Sequence, residues 1–265
     1  MDGIGTKHIY DPKRVRFKDA AIDSLAMNLN DIVLQRATPY IVIDHIIIPQ
    51  DDNQGIIEII ETLCEECKKR QIATLCGETA ICNTIQHIEI STTMLGFIEN
   101  PRQNKLRIGD TLIGFRSSGV HSNGLSKVRE IYGKDYLDLD LKPTIIYSDK
   151  VLELEKKVDI HGMVNITGGA FTKIRGYLAE GADVKIRRDH GLQPHNIFRE
   201  IYSKEISDEE IYKTFNCGIG FIVSVNKNDA PKVLWSLDSD IIGEVIKGTG
   251  KIRIESTFSD TLVEY

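Results

Sequence analysis

A carboxylate, two glycines, a hydroxyl and an ammonium group fall within six consecutive residues, Asp2-Gly3-Ile4-Gly5-Thr6-Lys7. Asp2 carries hard oxygen ligands suited to Mg²⁺, and the glycines leave backbone N–H groups open to an anion. Lys7 supplies positive charge for phosphate oxygens. The segment predicts a site for a metal ion together with phosphate. It lacks the first glycine and the long following helix of a Walker A loop, and any short glycine-containing turn has a similar composition.

A second candidate loop, Ser117–Gly124, is rich in glycine and hydroxylated residues and lies between a predicted strand and a predicted helix. Backbone N–H groups at the start of a helix bind phosphate, so this loop predicts an anion site. His121 lies within the loop, where an imidazole can transfer a proton, although a histidine in a turn is more often a structural hydrogen-bonding residue. Thr167-Gly168-Gly169 is either a further phosphate pocket of the same type or a plain turn.

Two further carboxylates are candidate ligands for the metal. Asp31 lies near the end of a predicted helix, and Glu78 lies in a predicted loop, Cys76–Asn83. Carboxylates from separate segments that converge with Asp2 would bridge Mg²⁺ to a triphosphate. Each also has a structural interpretation, Asp31 as a solvated helix position and Glu78 as the partner of an arginine.

The elements that must position these residues alternate between helices and strands, which predicts an α/β (α+β) fold. Apolar residues at helical spacing predict a helix over residues 19–35, followed by a buried strand at Tyr40–Ile48 and an amphipathic helix at Gly55–Arg70. On the first helix Asp23 and Asn30 are seven residues apart, which is almost two full turns. We therefore expect their side chains to project in the same direction.

The segment Asn100–Asn104 has no periodicity and contains Pro101, so it is a candidate linker. The sequence predicts two domains, residues 1–105 and residues 106–265. A new strand at Asp110–Phe115 begins the second half. A chain of 265 residues with 41% hydrophobic residues is long enough to bury a core in each domain.

Composition excludes several classes of function. A net charge of -6 argues against a nucleic-acid-binding protein, because neutralising a phosphate backbone requires a surplus of Lys and Arg. The apolar runs fall far below the roughly 18 residues of a membrane span, and Met1-Asp2-Gly3 is not the start of a signal peptide. The sequence thus predicts a soluble, cytoplasmic protein.

Five cysteines, an odd number, favour reduced thiols over a disulfide framework. Cys64 and Cys67 form a CxxC pair that would suit zinc, but the later cysteines lack the matching spacing. Cys64 also falls on the apolar stripe of a predicted helix with Ile56, Ile60 and Leu63. Core cysteines are therefore the preferred interpretation.

Taken together, these segments resemble the aminoimidazole ribonucleotide (AIR) synthetases, whose ATP-binding superfamily also includes selenophosphate synthetase, thiamine monophosphate kinase and formylglycinamidine synthetase. Four stretches carry the resemblance: DGIGTK at residues 2–7, IDSLAMNLNDIVLQ at 22–35, GETA at 77–80 and SGVHSNGLS at 118–126. Pro143-Thr144 with Tyr147, then Ile166–Gly169 and YKTFNCGIG at 212–220, continue the match in order. The match covers essentially the whole chain, and SGVHSNG with TFNCGIG points to AIR synthetase among its siblings.

The resemblance implies a two-domain fold, with an N-terminal half-barrel domain for ATP binding and dimerisation and a C-terminal α/β domain. It also implies a homodimer with a shared barrel and with ATP near the dimer interface. The implied reaction is the ATP-dependent cyclisation of formylglycinamidine ribonucleotide to AIR, through an iminophosphate, in de novo purine biosynthesis.

The resemblance also implies residue roles. The nucleotide and Mg²⁺ site would comprise Asp2, Gly3, Gly5, Thr6, Lys7, Asn30, Asp31 and Glu78, with Asp2, Asp31 and Glu78 as metal ligands. The substrate site would comprise Ser118, Gly119, His121, Ser122, Asn123, Thr167, Gly168, Gly169 and Asn216. His121 and Lys7 are the expected catalytic residues.

The sequence departs from the family pattern at three places. Arg36 replaces a glycine, Ile81-Cys82-Asn83 replaces a Met-Pro-Gly turn, and the chain begins at the DGxGTK-like segment, which a glycine-rich segment precedes in the family. Two alternatives stay open. One is a related small-molecule kinase or selenophosphate synthetase, although the reactive N-terminal Cys or Sec of the latter is absent. The other is a non-catalytic paralogue that binds nucleotide.

Overall fold

The computed structural model describes residues 1–11, 13–234 and 238–265. The chain forms two compact units: unit 1 comprises residues 1–101 and 125–149, and unit 2 comprises residues 102–124 and 150–265. The predicted mixed α/β fold with two domains is confirmed. Residues 125–149 belong to unit 1, although they follow a segment of unit 2. A single predicted boundary at residue 105 does not include this second segment. Local composition marks a linker but does not show which later segment packs against the first domain. Within the described ranges, no helix is both long enough and apolar enough to cross a bilayer.

Unit 1 is a sheet with helices packed against one face. Its elements are, in chain order, β1 (Asp2–Ile4), α1 (Phe17–Ile32) with a 3-10 turn at Val33–Gln35, β2 (Thr38–Ile48), α2 (Asn53–Lys69), β3 (Ala73–Ile81), β4 (Glu89–Phe97), α3 (Leu125–Tyr132) and a 3-10 segment at Gly133–Asp138. The four-stranded sheet has the order β1-β4-β2-β3. Alternate residues of β2 and β4, including Val42, Ile46, Ile90 and Met94, join the α1 and α2 side chains in one core.

The predicted loop at Cys76–Asn83 is wrong, because β3 continues through the GETA segment to Ile81. β3 pairs in parallel with β2, so that Asp44 lies opposite Gly77 and His45 opposite Glu78. A Cβ at Gly77 would lie 2.4 Å from Asp44 Oδ1, so the Asp44 carboxylate lies directly over this glycine. A larger residue at position 77 would have to displace that side chain.

The cysteines of α2 do not share one environment. Cys67 is buried in the core, whereas Cys64 is exposed, so the prediction that Cys64 is a core residue is wrong. The helix turns Cys64 and Ile60 toward its outer face, where Ile60 is also exposed. The apolar stripe of α2 is wider than the face that packs against the core. The sequence therefore did not distinguish the buried Cys67 from the exposed Cys64.

Unit 2 is built on a seven-stranded mixed sheet of order β11-β10-β7-β9-β5-β8-β6. Its elements are β5 (Thr111–Arg116), α4 (Ser148–Glu155), β6 (Ile160–Asn165), a 3-10 segment (Ala170–Tyr177), β7 (Ala182–Ile186), α5 (Asn196–Tyr202), α6 (Asp208–Thr214), β8 (Ile219–Val225), α7 (Ala230–Leu234), β9 (Ser239–Lys247), β10 (Ile252–Glu255) and β11 (Leu262–Glu264). β8 is buried along its whole length and forms the centre of the core with β5. The loops that follow β5 and β6 carry the predicted substrate residues.

Asp183 on β7 organises the turn between β9 and β10. Its Oδ1 accepts hydrogen bonds from the backbone N–H groups of Thr249, Gly250 and Lys251, at 2.6, 2.8 and 2.8 Å, and its Oδ2 accepts one from Arg253. Burial alone would raise the pKa of Asp183, but these donors overcome that effect and lower the pKa.

We expect Asp183→Asn to lower the free energy of unfolding at pH 7 by about 2 kcal/mol, since charge-assisted bonds are lost from a buried site. Because the folded-state pKa is depressed, this contribution is present above the unfolded pKa of about 3.9 and disappears as the pH falls below it. Urea unfolding of both proteins at pH 7 and at pH 3 measures the effect. A difference that stays constant between the two pH values would contradict this account.

Candidate active site

Asp2 is presented at the edge of the sheet of unit 1. β1 pairs with β4 so that Asp2 lies opposite Thr92, and the Asn28 amide donates hydrogen bonds to the Asp2 carbonyl and to Thr92 Oγ1, at 3.2 and 2.7 Å. The carboxylate is exposed and makes no ion pair with the residues that the structure describes. This arrangement fixes the backbone of Asp2 and leaves its side chain available to a ligand.

The two glycines of the same segment have different surroundings. A Cβ at Gly3 would lie 2.7 Å from the carbonyl oxygen of Ile90, so glycine is needed for β1 to pair with β4. A Cβ at Gly5 would lie 3.3 Å from Glu89 Cγ, which is a tight contact with a side chain that can move. Strand pairing therefore explains Gly3 without any ligand.

Lys7 is buried and paired inside unit 1. Its Nζ lies 2.8 Å from Asp23 Oδ2 and donates a hydrogen bond to the Lys142 carbonyl at 2.6 Å, and its side chain is 1% exposed. The ammonium charge is thus compensated by a buried carboxylate. This geometry does not present Lys7 to a phosphate, which the sequence led us to expect.

Asp23 is the centre of this cluster. It also accepts hydrogen bonds from the backbone N–H and the hydroxyl of Thr144, at 2.7 and 2.6 Å, and from His8 Nε2 at 2.8 Å. Burial favours the neutral acid, but the charge of Lys7 and the bonds from His8 overcome it and hold the pKa of Asp23 well below its usual range. Asp23 therefore stays ionised inside the core.

Asn30 projects in the same direction as Asp23, as predicted, and binds the same returning segment. Its Oδ1 accepts from the Tyr147 N–H at 2.7 Å, and its Nδ2 donates to the Ile145 carbonyl at 2.8 Å. Asn30 has no solvent exposure. Both ends of its amide are occupied within unit 1, so Asn30 positions the returning segment, and its expected contact with the nucleotide stays a prediction.

The three predicted metal ligands do not form one cluster. Glu78 lies one position beyond Gly77, so it points to the face of the sheet opposite Asp44 and Asp2. Asp31 follows Asn28 by about one turn of α1, so it lies on the same side of the helix as the residue that binds the Asp2 carbonyl. Among the described residues no group of three His, Cys, Asp or Glu side chains could hold a metal ion.

The donors present nevertheless suit Mg²⁺ in one respect. Mg²⁺ takes one or two carboxylates and completes its shell with water and substrate phosphates, so a three-carboxylate cluster is not required. The exposed carboxylate of Asp2, with Asp31 nearby, fits such a site, and Glu78 of the same chain does not.

Arg129 was missed by the sequence argument. Its Nη1 donates to the Thr6 carbonyl at 2.8 Å, and its guanidinium lies over the Tyr136 ring, 5.8 Å from the centroid. Tyr136 in turn donates to the Lys7 carbonyl at 3.0 Å. The signal in the sequence was the position of Arg129, three residues after the SGVHSNGLS motif. Arg129 is a cation beside the exposed Thr6.

In unit 2, His121 is buried within the Ser117–Gly124 loop, where it is 1% exposed. Its backbone has a positive φ of 60°, and its Nε2 accepts a hydrogen bond from the Ser118 N–H at 3.1 Å. An accepting Nε2 carries no proton. In this arrangement His121 stabilises the turn around Ser118 and Gly119.

Asn216 binds the same loop through its side-chain amide. Its Oδ1 accepts from Ser117 Oγ at 2.8 Å and from the Gly218 N–H at 3.0 Å, while its Nδ2 donates to the Gly119 carbonyl at 2.8 Å. Asn216 is buried, and these bonds occupy both ends of its amide. In the structure Asn216 holds the loop, and its expected contact with the substrate stays a prediction.

The turn Thr167-Gly168-Gly169 meets the same loop. Gly168 and Gly169 are exposed, and Gly169 has a φ of 80°, which favours glycine. A Cβ at Gly168 would lie 3.6 Å from Asn123 Oδ1, so the Asn123 amide lies beside the turn. Ser122 is half-buried in this loop. The structure thus brings the predicted substrate segments of unit 2 together.

Lys173 was also missed. It lies on the 3-10 segment behind the glycine turn and donates from Nζ to Thr167 Oγ1 at 2.5 Å. The sequence signal was a lysine six residues after Thr167, about one turn along the helical segment that follows the glycines.

These features define a two-domain α/β fold with one polar cluster at the start of unit 1 and a glycine-rich loop cluster in unit 2. The same fold is found in the crystal structure of the hydrogenase maturation protein HypE in complex with ATP. That structure matches with a TM-score of 0.69 and 16% identity, over 99% of this chain and 82% of that chain.

The chain belongs to the AIR synthase related protein family. The N-terminal domain of the family matches residues 1–98 and the C-terminal domain matches residues 107–255. The phosphoribosylformylglycinamidine cyclo-ligase of Methanococcus vannielii is 33% identical, over 100% of this chain and 81% of that protein. The enzyme of the same name from Thermococcus kodakarensis is 32% identical, over 96% of this chain and 80% of that protein.

Proposed function

We propose that this protein closes the imidazole ring of formylglycinamidine ribonucleotide to give AIR, at the expense of ATP. The observation that carries the proposal is the match to cyclo-ligases along the whole chain, with 33% identity to the Methanococcus vannielii enzyme. The gathering of the predicted substrate loops in unit 2 supports it. The predicted cytoplasmic location is part of the same proposal.

The proposed reaction has two steps. The formyl amide oxygen attacks the γ-phosphorus of ATP, ADP leaves, and an iminophosphate forms on the substrate. The amidine nitrogen then attacks the formyl carbon, the C–O bond breaks, and inorganic phosphate departs with the former formyl oxygen. The amide N–H proton is lost when the iminophosphate forms. After ring closure, loss of a proton from the ring CH₂ carbon moves the double bond into the ring, leaves the exocyclic amine, and completes the aromatic imidazole. ATP thereby turns a poor leaving group into a good one.

Unit 1 would bind the nucleotide. Asp2, with Asp31, would hold Mg²⁺, which neutralises phosphate charge when bound. Arg129 and the exposed Thr6 are placed beside that carboxylate segment and would contact phosphate oxygens. Lys7 would act indirectly, because its charge is used to fix the segment that carries Asp2 and Thr6.

Unit 2 would bind the substrate. The backbone of Ser118 and Gly119, Ser122 and Asn123, and the exposed glycines of the 167–169 turn line the loop cluster. His121 would hold this loop in shape through its bond from Ser118. A role for His121 in proton transfer would require Nε2 to exchange that partner for the substrate.

Homodimer formation is a further part of the proposal. The helices of unit 1 cover one face of its sheet, and the opposite face carries exposed apolar side chains that include Leu95 and Phe97. Such a face needs a partner to exclude water. A second copy of the chain, sheet against sheet, would supply a matching apolar face and bring a second Glu78 to it.

We expect Phe97→Asp to weaken the dimer by about 10-fold or more, because a charge would be buried in the interface. Phe97 is 61% exposed in the single chain, so the monomer itself should stay folded. Sedimentation equilibrium measures the effect. Leu262→Asp is the matched control, since Leu262 is 55% exposed on β11 of unit 2. A wild-type monomer, or an equal effect of both variants, would argue against this interface.

An isotope experiment tests the proposed reaction. Substrate labelled with ¹⁸O in the formyl group is incubated with ATP, Mg²⁺ and the protein, and inorganic phosphate is analysed by mass spectrometry. The proposal predicts one ¹⁸O atom in the phosphate and AIR as the product. A stable phosphorylated substrate would favour the kinase alternative. Nucleotide binding without any phosphate release would favour the non-catalytic paralogue.

A further inference from the structure

We infer that Lys173 and the glycine turn before it form the binding site for the 5′-phosphate of the ribonucleotide substrate. This inference rests on the proposed function, since it assigns one part of that substrate to one part of unit 2.

The charge of Lys173 is the first observation in favour of this site. Lys173 is half-buried, and its Nζ lies at Thr167 Oγ1, at the start of the turn. In the described part of the chain Lys173 makes no ion pair, unlike Lys157 in the turn after α4, which pairs with Glu153. Among the described residues no carboxylate pairs with this ammonium group, so it suits the binding of an anion.

The backbone of the glycine turn beside Lys173 is the second observation. Gly168 and Gly169 are exposed, so a ligand can reach the main chain directly, and the positive φ of Gly169 turns the chain sharply there. Exposed backbone N–H groups in such a turn form a concave site for an anion. A Cβ at Gly169 would lie 3.6 Å from Lys173 Cγ, so the lysine side chain passes beside this turn.

The side-chain amide of Asn123 is the third observation. Asn123 lies beside Gly168, and its Nδ2 is buried with no hydrogen-bond partner among the described residues. A buried amide donor without a partner is costly, so its presence points to a ligand that would accept the bond. The oxygens of a phosphate monoester could accept hydrogen bonds from the Lys173 ammonium, from the exposed backbone N–H groups and from the Asn123 amide at once.

Phosphate oxygens come from two sources in this reaction, the ribonucleotide and ATP, and kinetics separate them. We expect Lys173→Met to raise KM for the ribonucleotide by about 10- to 100-fold, as for loss of a charge-assisted bond. KM for ATP should not change. Lys173→Arg should restore most of the affinity, because it keeps the charge. A rise in KM for ATP instead would assign the site to the nucleotide and overturn the inference.

Lys105→Met is the matched control. Lys105 donates to the Gly176 carbonyl at 3.1 Å, at the far end of the same 3-10 segment, so this variant removes a lysine contact to the segment without touching the turn. KM should stay at the wild-type value. Equal effects of Lys105→Met and Lys173→Met would show that only the stability of the segment matters and would overturn the inference.

Substrate trimming supplies the sharpest test. The ribonucleoside that lacks the 5′-phosphate should be a poor substrate, and equally poor for wild type and Lys173→Met, because the partner of Lys173 is missing. A further loss with the ribonucleoside would contradict the assignment.

Direct binding separates this inference from the proposed reaction. Ribose 5-phosphate should bind the wild-type protein and bind Lys173→Met about 10-fold more weakly, as measured by calorimetry. If wild type forms no AIR and yet shows this difference, the cyclo-ligase proposal fails while the phosphate site stands. If AIR forms but Lys173→Met leaves both KM and ribose 5-phosphate binding unchanged, the phosphate site fails alone. No binding by wild type would also overturn it.

Discussion

Replacing Asp2 by Asn should reduce substrate-dependent ADP release by about 100-fold or more. Asp2 is an exposed carboxylate on a backbone fixed by strand pairing and by Asn28, which is the arrangement a ligand of Mg²⁺ needs. Asn keeps the shape but removes the charge, and loss of a metal ligand costs several kcal/mol in the transition state. Steady-state ADP release at saturating Mg²⁺ measures the effect.

The matched control is Asp51→Asn, which removes an exposed carboxylate from the turn after β2. It should leave ADP release unchanged. If Asp2→Asn retains activity while Asp31→Asn or Glu78→Gln abolishes it, the assignment of the metal site to the β1 edge would be wrong.

Replacing Lys7 by Met should lower the free energy of unfolding by about 3–5 kcal/mol, because it leaves the buried Asp23 carboxylate without its main positive partner. The change should also loosen residues 142–144, which Lys7 and Asp23 bind. Urea unfolding at pH 7 measures the loss. Lys18→Met, an exposed lysine on α1, is the control and should have little effect.

A double-mutant cycle with Asp23→Asn tests the pairing. The double variant should lose much less stability than the sum of the single variants, because each single change exposes the same broken pair. If Lys7→Met left stability intact and only raised KM for ATP, Lys7 would be a phosphate ligand and the positioning role would be wrong.

The contribution of Asp23 should depend on pH. The folded-state pKa of Asp23 is depressed, so its stabilising effect is present above the unfolded pKa of about 3.9 and fades as the pH falls below that value. The stability gap between wild type and Asp23→Asn should therefore narrow between pH 5 and pH 2.

Local periodicity predicted the parts of the fold that depend on one element at a time. The common direction of Asp23 and Asn30 follows from 3.6 residues per turn, and both side chains bind residues 144–147. Periodicity could not identify that binding partner, because the partner lies more than 110 residues later in the chain. The burial of Lys7 was hidden for the same reason, since only the fold places it against Asp23.

The pairing of β3 with β2 explains why the GETA segment, residues 77–80, is a strand and not the predicted loop. Glycine and polar residues indicated a loop, but parallel pairing with β2 makes the segment a strand. The same register places Glu78 on the face opposite Asp2, a distinction that needs the pairing and not the motif alone. Convergence of carboxylates cannot be inferred from the presence of carboxylates in neighbouring motifs.

Arg36 shows how a departure from the family pattern can have a conformational meaning. The family has a glycine at this position. In the structure Arg36 has φ 59° and ψ 27°, at the end of the 3-10 turn after α1. Glycine adopts this left-handed conformation at the least cost, and arginine adopts it with some strain. The position is therefore a helix cap.

The most direct test of the central claim is the stoichiometry of a complete reaction. Purified protein is incubated with formylglycinamidine ribonucleotide, ATP and Mg²⁺, and ADP and AIR are measured together, with a parallel sample that lacks the ribonucleotide. The account predicts one ADP for each AIR and no ADP above background without substrate. A folded protein that forms no AIR, or that releases ADP at the same rate without the ribonucleotide, would contradict it.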